Sequence, residues 1–196
     1  MSQKKPDEWL RETLIYLDKN YDLGKLYYPG SGWDRVPLET LGGKRVYHLS
    51  ANENKGLSDF NPELHPPGEV YDTNNRLVRT AQEQKKWMQK IFEQGYFGVL
   101  GDDALYKYEG DYRHTHFFEN NKFDSILIWG IPIKSTIEAI PEFRRVTKKG
   151  GLFIDNNELI YPSNSGDQDK ISKTLDNQLK RLIFPGKLSA VPIYQN

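Results

Sequence analysis

The sequence predicts an α/β fold, a doubly wound and mostly parallel sheet with helices on both faces, and three observations carry that expectation. Runs rich in β-branched and aromatic residues alternate with stretches whose apolar residues recur three and four positions apart. The run FDSILIWG, residues 123–130, is apolar almost throughout, as a strand covered on both faces should be. A glycine turn, PGSGWD at 29–34, separates a strand-like segment from a helix-like one, the place where open α/β sheets put a ligand crevice. A length of 196 residues suits one well-cored domain, so residues 1–196 are expected to form a single unit.

Taken in order, residues 6–20 carry Trp9, Leu10, Thr13, Leu14 and Leu17 at helical spacing behind Pro6 and two acids, which predicts an amphipathic helix packed on the sheet. Leu26, Tyr27 and Tyr28 favour a strand that Pro29 closes. Gly30 and Gly32 permit positive φ, and Asp34 stands where a cap precedes VPLETLGG, a short helix with Pro37 in its first turn and Gly42-Gly43 as its stop. Arg45–Ser50 reads as the second strand, and residues 55–76, rich in proline and glycine, as a long irregular connection. A helix is expected over about 75–94, ended by Gly95, then a short strand at Tyr96–Leu100 closed by Gly101-Asp102-Asp103-Ala104. Residues 109–122 show no period. Phe123–Gly130 is the buried strand, Ile133–Val146 a helix stopped by Lys148-Lys149-Gly150-Gly151, and Leu152–Asp155 another strand. A helix around Lys170–Leu182 and a last strand at Leu188–Tyr194 complete the alternation.

Composition narrows the function classes. Lys plus Arg and Asp plus Glu both number 27, so the basic excess that drives nonspecific nucleic-acid binding is missing. The chain has no cysteine, which removes disulfides, thiolate metal sites and thiol nucleophiles and fits a reducing compartment. No apolar run approaches the roughly 20 residues of a membrane helix, and the first residues lack a signal-peptide core; no membrane partner and a cytoplasmic location are expected. His114 and His116 alternate near Asp111, a pattern that fits a metal site or a general base, yet no third ligand completes it, and no metal is expected. Neither a phosphate-loop lysine nor a G-x-S-x-G elbow is present.

Four of these segments together resemble the class I S-adenosylmethionine-dependent methyltransferases, over about Lys25 to Tyr194. PGSGWD resembles that family's first motif, a glycine loop beneath the methionine part of the cofactor. GVLGDDAL resembles the segment after the third strand, where an acid receives the adenine amino group. FDSILIWGIP resembles the fourth-strand motif, whose end faces the substrate, and EFRRVTKKGGLFIDNN the helix and fifth strand that follow. The resemblance implies a Rossmann-like methyltransferase fold with S-adenosylmethionine as cofactor. It assigns Gly30, Ser31 and Gly32 to the cofactor backbone, Ser50 or Glu53 to the ribose, and Asp102 or Asp103 to the adenine. Trp129 and Pro132 would wall the substrate pocket.

Two departures stand out. The family's first motif begins with an acid two positions before the first glycine and carries a third glycine; Tyr28 and Asp34 occupy those places, Tyr28 thus among the cofactor-binding positions. The family's second strand ends in an acid, where this chain has Ser50, with Glu53 three residues on. A dinucleotide site would need glycine at Arg35 and an acid some twenty positions past the turn, near Glu53. Two functions follow: methyl transfer from S-adenosylmethionine to a small-molecule or other acceptor, with no catalytic residue assigned, or a fold of this type that has lost catalysis and serves as a nucleotide-binding or protein-interaction module.

Overall fold

The computed structural model describes residues 6–32, 34–50, 68–71, 76–129, 131, 133–155, 180–182 and 193–196. Trp33, Glu53 and Pro132 lie outside the described residues, as does most of the connection expected over 55–76.

Helix α1 spans Pro6–Tyr21. Its Leu10, Leu14 and Leu17 are buried on one face, and full burial of each contributes about 2 kcal/mol. Arg45 fastens the end of this helix: its guanidinium grips both carboxylate oxygens of Asp18, and its Nε donates to the Gly24 carbonyl at 3.0 Å. Strand β1, Leu26–Pro29, is buried at every residue. Helix α2, Val36–Leu41, has Pro37 in its first turn as expected, and strand β2, Val46–Ser50, is again buried throughout. The two strands run parallel with Tyr28 opposite His48.

Beyond β2 the structure departs from the sequence expectation. Val70–Tyr71 (β3) and Leu77–Arg79 (β4) form a small antiparallel pair, so helix α3 starts only at Ala81. A capping box sets that start. Thr80 Oγ1 accepts the Glu83 N–H at 3.3 Å, and Glu83 Oε2 accepts the Thr80 N–H at 2.8 Å. The helix then runs to Leu100, through Gly95 and through the residues 96–100 expected to form a strand. A glycine inside a helix costs only about 1 kcal/mol relative to alanine, and burial of Leu100 with Ala104 against Leu38 offsets it.

The strand that joins the sheet here is β5, Tyr106–Glu109, where none was expected. Its tyrosines explain it. Tyr106 and Tyr108 stack on Tyr47 of the neighbouring strand, with ring centroids 4.1 and 6.4 Å away. Strand β6, Phe123–Ile128, and helix α4, Ile133–Val146, fall where the sequence puts them. Strand β7, Thr147–Asp155, starts earlier than expected, because Lys148–Gly151 belong to it and bulge against the start of β6. Gly151 is needed there: a Cβ would lie 2.7 Å from the Asp124 carbonyl. Lys180–Leu182, expected as the end of a helix, is strand β8, and Ile193–Gln195 is strand β9.

The main sheet has seven strands in the order β5-β2-β1-β6-β7-β9-β8. The first five are parallel, and β9 runs against both of its neighbours. Helices α1 and α2 cover one face, over Leu26, Tyr28, Val46, Leu127 and Ile154. Helix α4 and Phe118 cover the other, over Tyr27, Tyr47, Phe123, Ile126 and Phe153. Strand-facing residues thus alternate between the two cores, as the pleat requires. The link from β5 to β6, residues 110–122, is a series of turns pinned to α4. Glu142 accepts the Thr115 N–H at 2.8 Å and its hydroxyl at 2.5 Å, while Arg145 donates to the carbonyls of Thr115 and Phe118 at 3.0 and 2.9 Å. No helix among the described residues is long and apolar enough to cross a membrane.

Candidate functional site

Strands β1 and β6 are neighbours, yet the chain leaves β1 toward one face, through α2, and β6 toward the other, through α4. The winding therefore reverses between them, and in open parallel sheets a crevice opens beyond the carboxyl ends at that point. Standing at those ends are Gly30 after β1, Ser50 on β2, Glu109 on β5, Trp129 after β6 and Asp155 on β7.

The glycine turn is tightly built. Gly30 and Gly32 have φ of 66° and 50°, the left-handed region that glycine enters at no steric cost. A Cβ on Gly30 would sit 2.9 Å from Cγ1 of Ile131, so the turn also presses against the segment leaving β6. The Ser31 N–H donates to the Leu49 carbonyl at 3.2 Å, and the Asp34 N–H to the Ser31 carbonyl at 3.0 Å. The buried Tyr28 phenol donates to Asp34 Oδ2 at 2.7 Å, and the Val36 N–H donates to Oδ1 at 2.9 Å. Burial, followed by the adjoining Asp34 charge, pushes the Tyr28 hydroxyl well above its usual value. Burial also raises the Asp34 carboxyl, against the lowering effect of these two hydrogen bonds.

Beside the turn, β2 places His48 and Ser50 on the α2 face, two residues apart. Both are buried, and among the described residues neither ring nitrogen of His48 nor the Ser50 hydroxyl has a hydrogen-bond partner. Ser31 Oγ is buried and unpartnered as well. Burial, and after it the Arg35 guanidinium, bring His48 down to about 4, so its ring is neutral at physiological pH. A buried polar group without a partner costs about 1–3 kcal/mol. Three such side chains near the carboxyl ends of adjacent strands mark a place suited to a polar ligand.

No protein-family model matches the sequence, and no curated protein does. Solved structures do match. The PH0226 protein from Pyrococcus horikoshii OT3 aligns with a TM-score of 0.51 and 12% identity, over 99% of this chain and 92% of that one. The CurJ carbon methyltransferase aligns with a TM-score of 0.51 and 12% identity, over 96% of this chain and 53% of that one. CalS11, a calicheamicin methyltransferase, gives 0.50 and 17%, over 96% and 78%. The fold is that of the class I S-adenosylmethionine-dependent methyltransferases.

Within this methyltransferase fold the sequence-derived site residues separate into two groups. Tyr28, Gly30, Ser31, Gly32 and Ser50 come together at the carboxyl ends of β1 and β2. Trp129 follows β6 and packs on the core beneath α1 and α2, while Glu53 and Pro132 lie outside the described residues. Asp102 and Asp103 require a correction of place. The third parallel strand is Tyr106–Glu109, so these acids precede it instead of following it. A Cβ on Gly43, just before β2, would meet the Asp103 carbonyl, so the backbone of the pair passes the start of β2. The Asp103 carboxylate pairs with Arg35, the residue after Asp34, at 2.8 Å. The misplacement follows directly from reading Tyr96–Leu100 as a strand.

Other residues enter the site only through the structure. Asp34 and His48 were not among the expected ligands. His48 shares the β2 alternation of Ser50, and Asp34 stands at a motif position, so each left a trace in the sequence; their burial and pairing did not. His114 and His116 are exposed, with rings 6.0 Å apart, and the Asp111 carboxylate is taken by Arg113 at 2.7 Å. Among the described residues no three His, Asp or Glu side chains are grouped to hold a metal ion.

Proposed function

We propose that the chain binds S-adenosylmethionine in the crevice above the Gly30–Gly32 turn and transfers its methyl group to an acceptor at the mouth of β6. The observation that carries this reading is the turn itself, which combines positive φ at Gly30 and Gly32 with a position at the reversal between β1 and β6. The donor set fits the cofactor: the unpartnered hydroxyls of Ser31 and Ser50 suit its polar groups, and glycines let its backbone-facing side approach closely. Ser50 or Glu53 would hold the ribose, and Trp129 with Pro132 would border the acceptor.

The bound cofactor supplies a methyl group already activated by the positive sulfonium beside it. The chain's own part is therefore alignment and exclusion of water. The turn is held rigid for this by the Tyr28 and Val36 hydrogen bonds to Asp34 and by the Ser31 bond to Leu49.

A second reading, a methyltransferase fold serving as a binding module without catalysis, is favoured by one observation. Tyr28 fills with a buried ring the place where the family has an acid. Calorimetric titration addresses the cofactor reading: micromolar binding of S-adenosylmethionine or S-adenosylhomocysteine, abolished by Gly32→Val, is the expected result. A β-branched residue at φ of 50° is strained, so the variant deforms the turn. Absence of heat at millimolar ligand would overturn the cofactor reading, and binding without methyl transfer would favour the module.

A further inference from the structure

We infer that the chain carries a second binding site, a cleft at the amino ends of β6 and β7 that takes the phosphate group of a small phosphate monoester. It lies at the end of the sheet opposite the glycine turn and stands independently of the cofactor reading. Asn121, just before β6, Pro141, Arg144 and Arg145 of α4, Lys149 of β7 and Asn196, just after β9, line it. Its volume is about 550 Å³, within the range of small-molecule sites. Among the described residues no acid lines it.

Cations often gather at the end of a helix, where they offset its bare carbonyls. Here other groups already fill that role. The Asn121 N–H donates to the Arg145 carbonyl at 2.9 Å, and the Asn196 side-chain amide reaches the carbonyls of Arg144, Thr147 and Lys148 at 3.3, 3.0 and 3.3 Å. Arg145 is itself committed, since its guanidinium holds Glu142 at 2.6 Å along with the Thr115 and Phe118 carbonyls and the Asn120 side chain. Lys148 is paired with Asp124 at 2.6 Å. That leaves Arg144 and Lys149. Both are exposed, and the one hydrogen bond that either side chain makes among the described residues is long, from Arg144 Nε to Asn196 Oδ1 at 3.4 Å.

The frame beneath these two cations is fixed. Lys149 stands on the bulge of β7, a device that re-aims side chains. Asn196 clamps the bulge: its carbonyl accepts the Gly150 N–H at 2.8 Å, and its own N–H donates to the Gly151 carbonyl at 2.9 Å. A forked guanidinium and a point-charged ammonium on one cleft match a tetrahedral dianion with several acceptor oxygens, whereas one arginine alone saturates a carboxylate. The space beyond the phosphate runs along Pro141 and has room for an organic body. A nucleic-acid strand fits less well, because each of its phosphates carries a single charge and the chain balances 27 Lys and Arg against 27 Asp and Glu.

The test is an amide NMR titration of the full chain with glycerol 3-phosphate, acetate and an oligothymidylate. Glycerol 3-phosphate should shift the signals of Asn121, Lys149, Gly150 and Asn196 to saturation. Arg144→Ala combined with Lys149→Ala should weaken it at least about tenfold, the scale of a lost charged hydrogen bond. Lys85→Ala combined with Lys90→Ala, the same loss of charge on exposed positions of α3, should leave it unchanged. Lys149→Ala alone, which removes no hydrogen bond of the fold, should already weaken binding. Shifts that do not saturate, equal losses in the two double variants, acetate bound as tightly as glycerol 3-phosphate, or an oligothymidylate bound more tightly through the same signals would each overturn the inference.

Discussion

His48 shows what a single residue in this site does to the whole protein. Its ring is fully buried, with no hydrogen-bond partner among the described residues, and it titrates at about 4 in the folded chain against an ordinary value of 6.5. Arg35 and Lys107 reinforce the depression that burial causes, and Asp103 opposes it. A folded-state value below the unfolded one means that the unfolded chain binds the proton first as pH falls. Stability is then lost between pH 6.5 and about 4, by up to about 3 kcal/mol, with no further loss from this group below that. Urea titrations across that range should show the decline, and His48→Leu should flatten it; an unchanged slope in the variant would place the acid sensitivity elsewhere. Glu142 acts in a different window. Arg145 and the Thr115 donors hold its carboxyl down at about 2, so its contribution persists until pH falls below 4.5 and is lost toward 2. Neither effect was legible in the sequence, because a histidine in a strand reads the same whether its nitrogens are satisfied or orphaned.

At the scale of elements, what the sequence made legible were the segments whose cause is local. Strands β1, β2 and β6 are rich in apolar and aromatic residues, and the turn and α2 follow from glycine, aspartate and proline at set positions. What it hid depends on partners distant in the chain. Tyr106–Glu109 alternates tyrosine with charge at the sheet edge and becomes a strand through stacking on Tyr47. Helix α3 passes Gly95 because Leu100 is buried beneath Leu38. The start of α3 was legible after all in Thr80-Ala81-Gln82-Glu83, and its weight is measurable: Thr80→Ala should cost about 1 kcal/mol, read as faster amide exchange over the first turns of α3 with the rest of the chain unchanged. The 110–122 link offers a larger effect. Glu142→Ala removes the acceptor for Thr115 and the carboxylate partner of Arg145, whose guanidinium keeps the Thr115 and Phe118 carbonyls, which should destabilise the chain by about 1–3 kcal/mol in urea titrations. A change below about 0.5 kcal/mol would show that the turns hold their course without α4.

For the molecule as a whole, the order β5-β2-β1-β6-β7-β9-β8 ties fold to function, because it fixes the one place where the winding reverses. The glycine turn, Ser50 and Trp129 all reach that place from different strands. Asp102 and Asp103 precede the third parallel strand instead of following it, and Asp103 pairs with Arg35 beside the turn. The fold is legible from strand and helix alternation alone, while the chemistry of the site depends on departures from the family pattern that only contact geometry links. The most direct test of the central claim is a crystal structure of the full chain grown with saturating S-adenosylhomocysteine. The account predicts the ligand between the carboxyl ends of β1 and β6, its amino-acid end against Gly30–Asp34 and its ribose at Ser50. A ligand bound elsewhere, or a crevice with Tyr28 and its neighbours unchanged and no ligand at saturation, would contradict it.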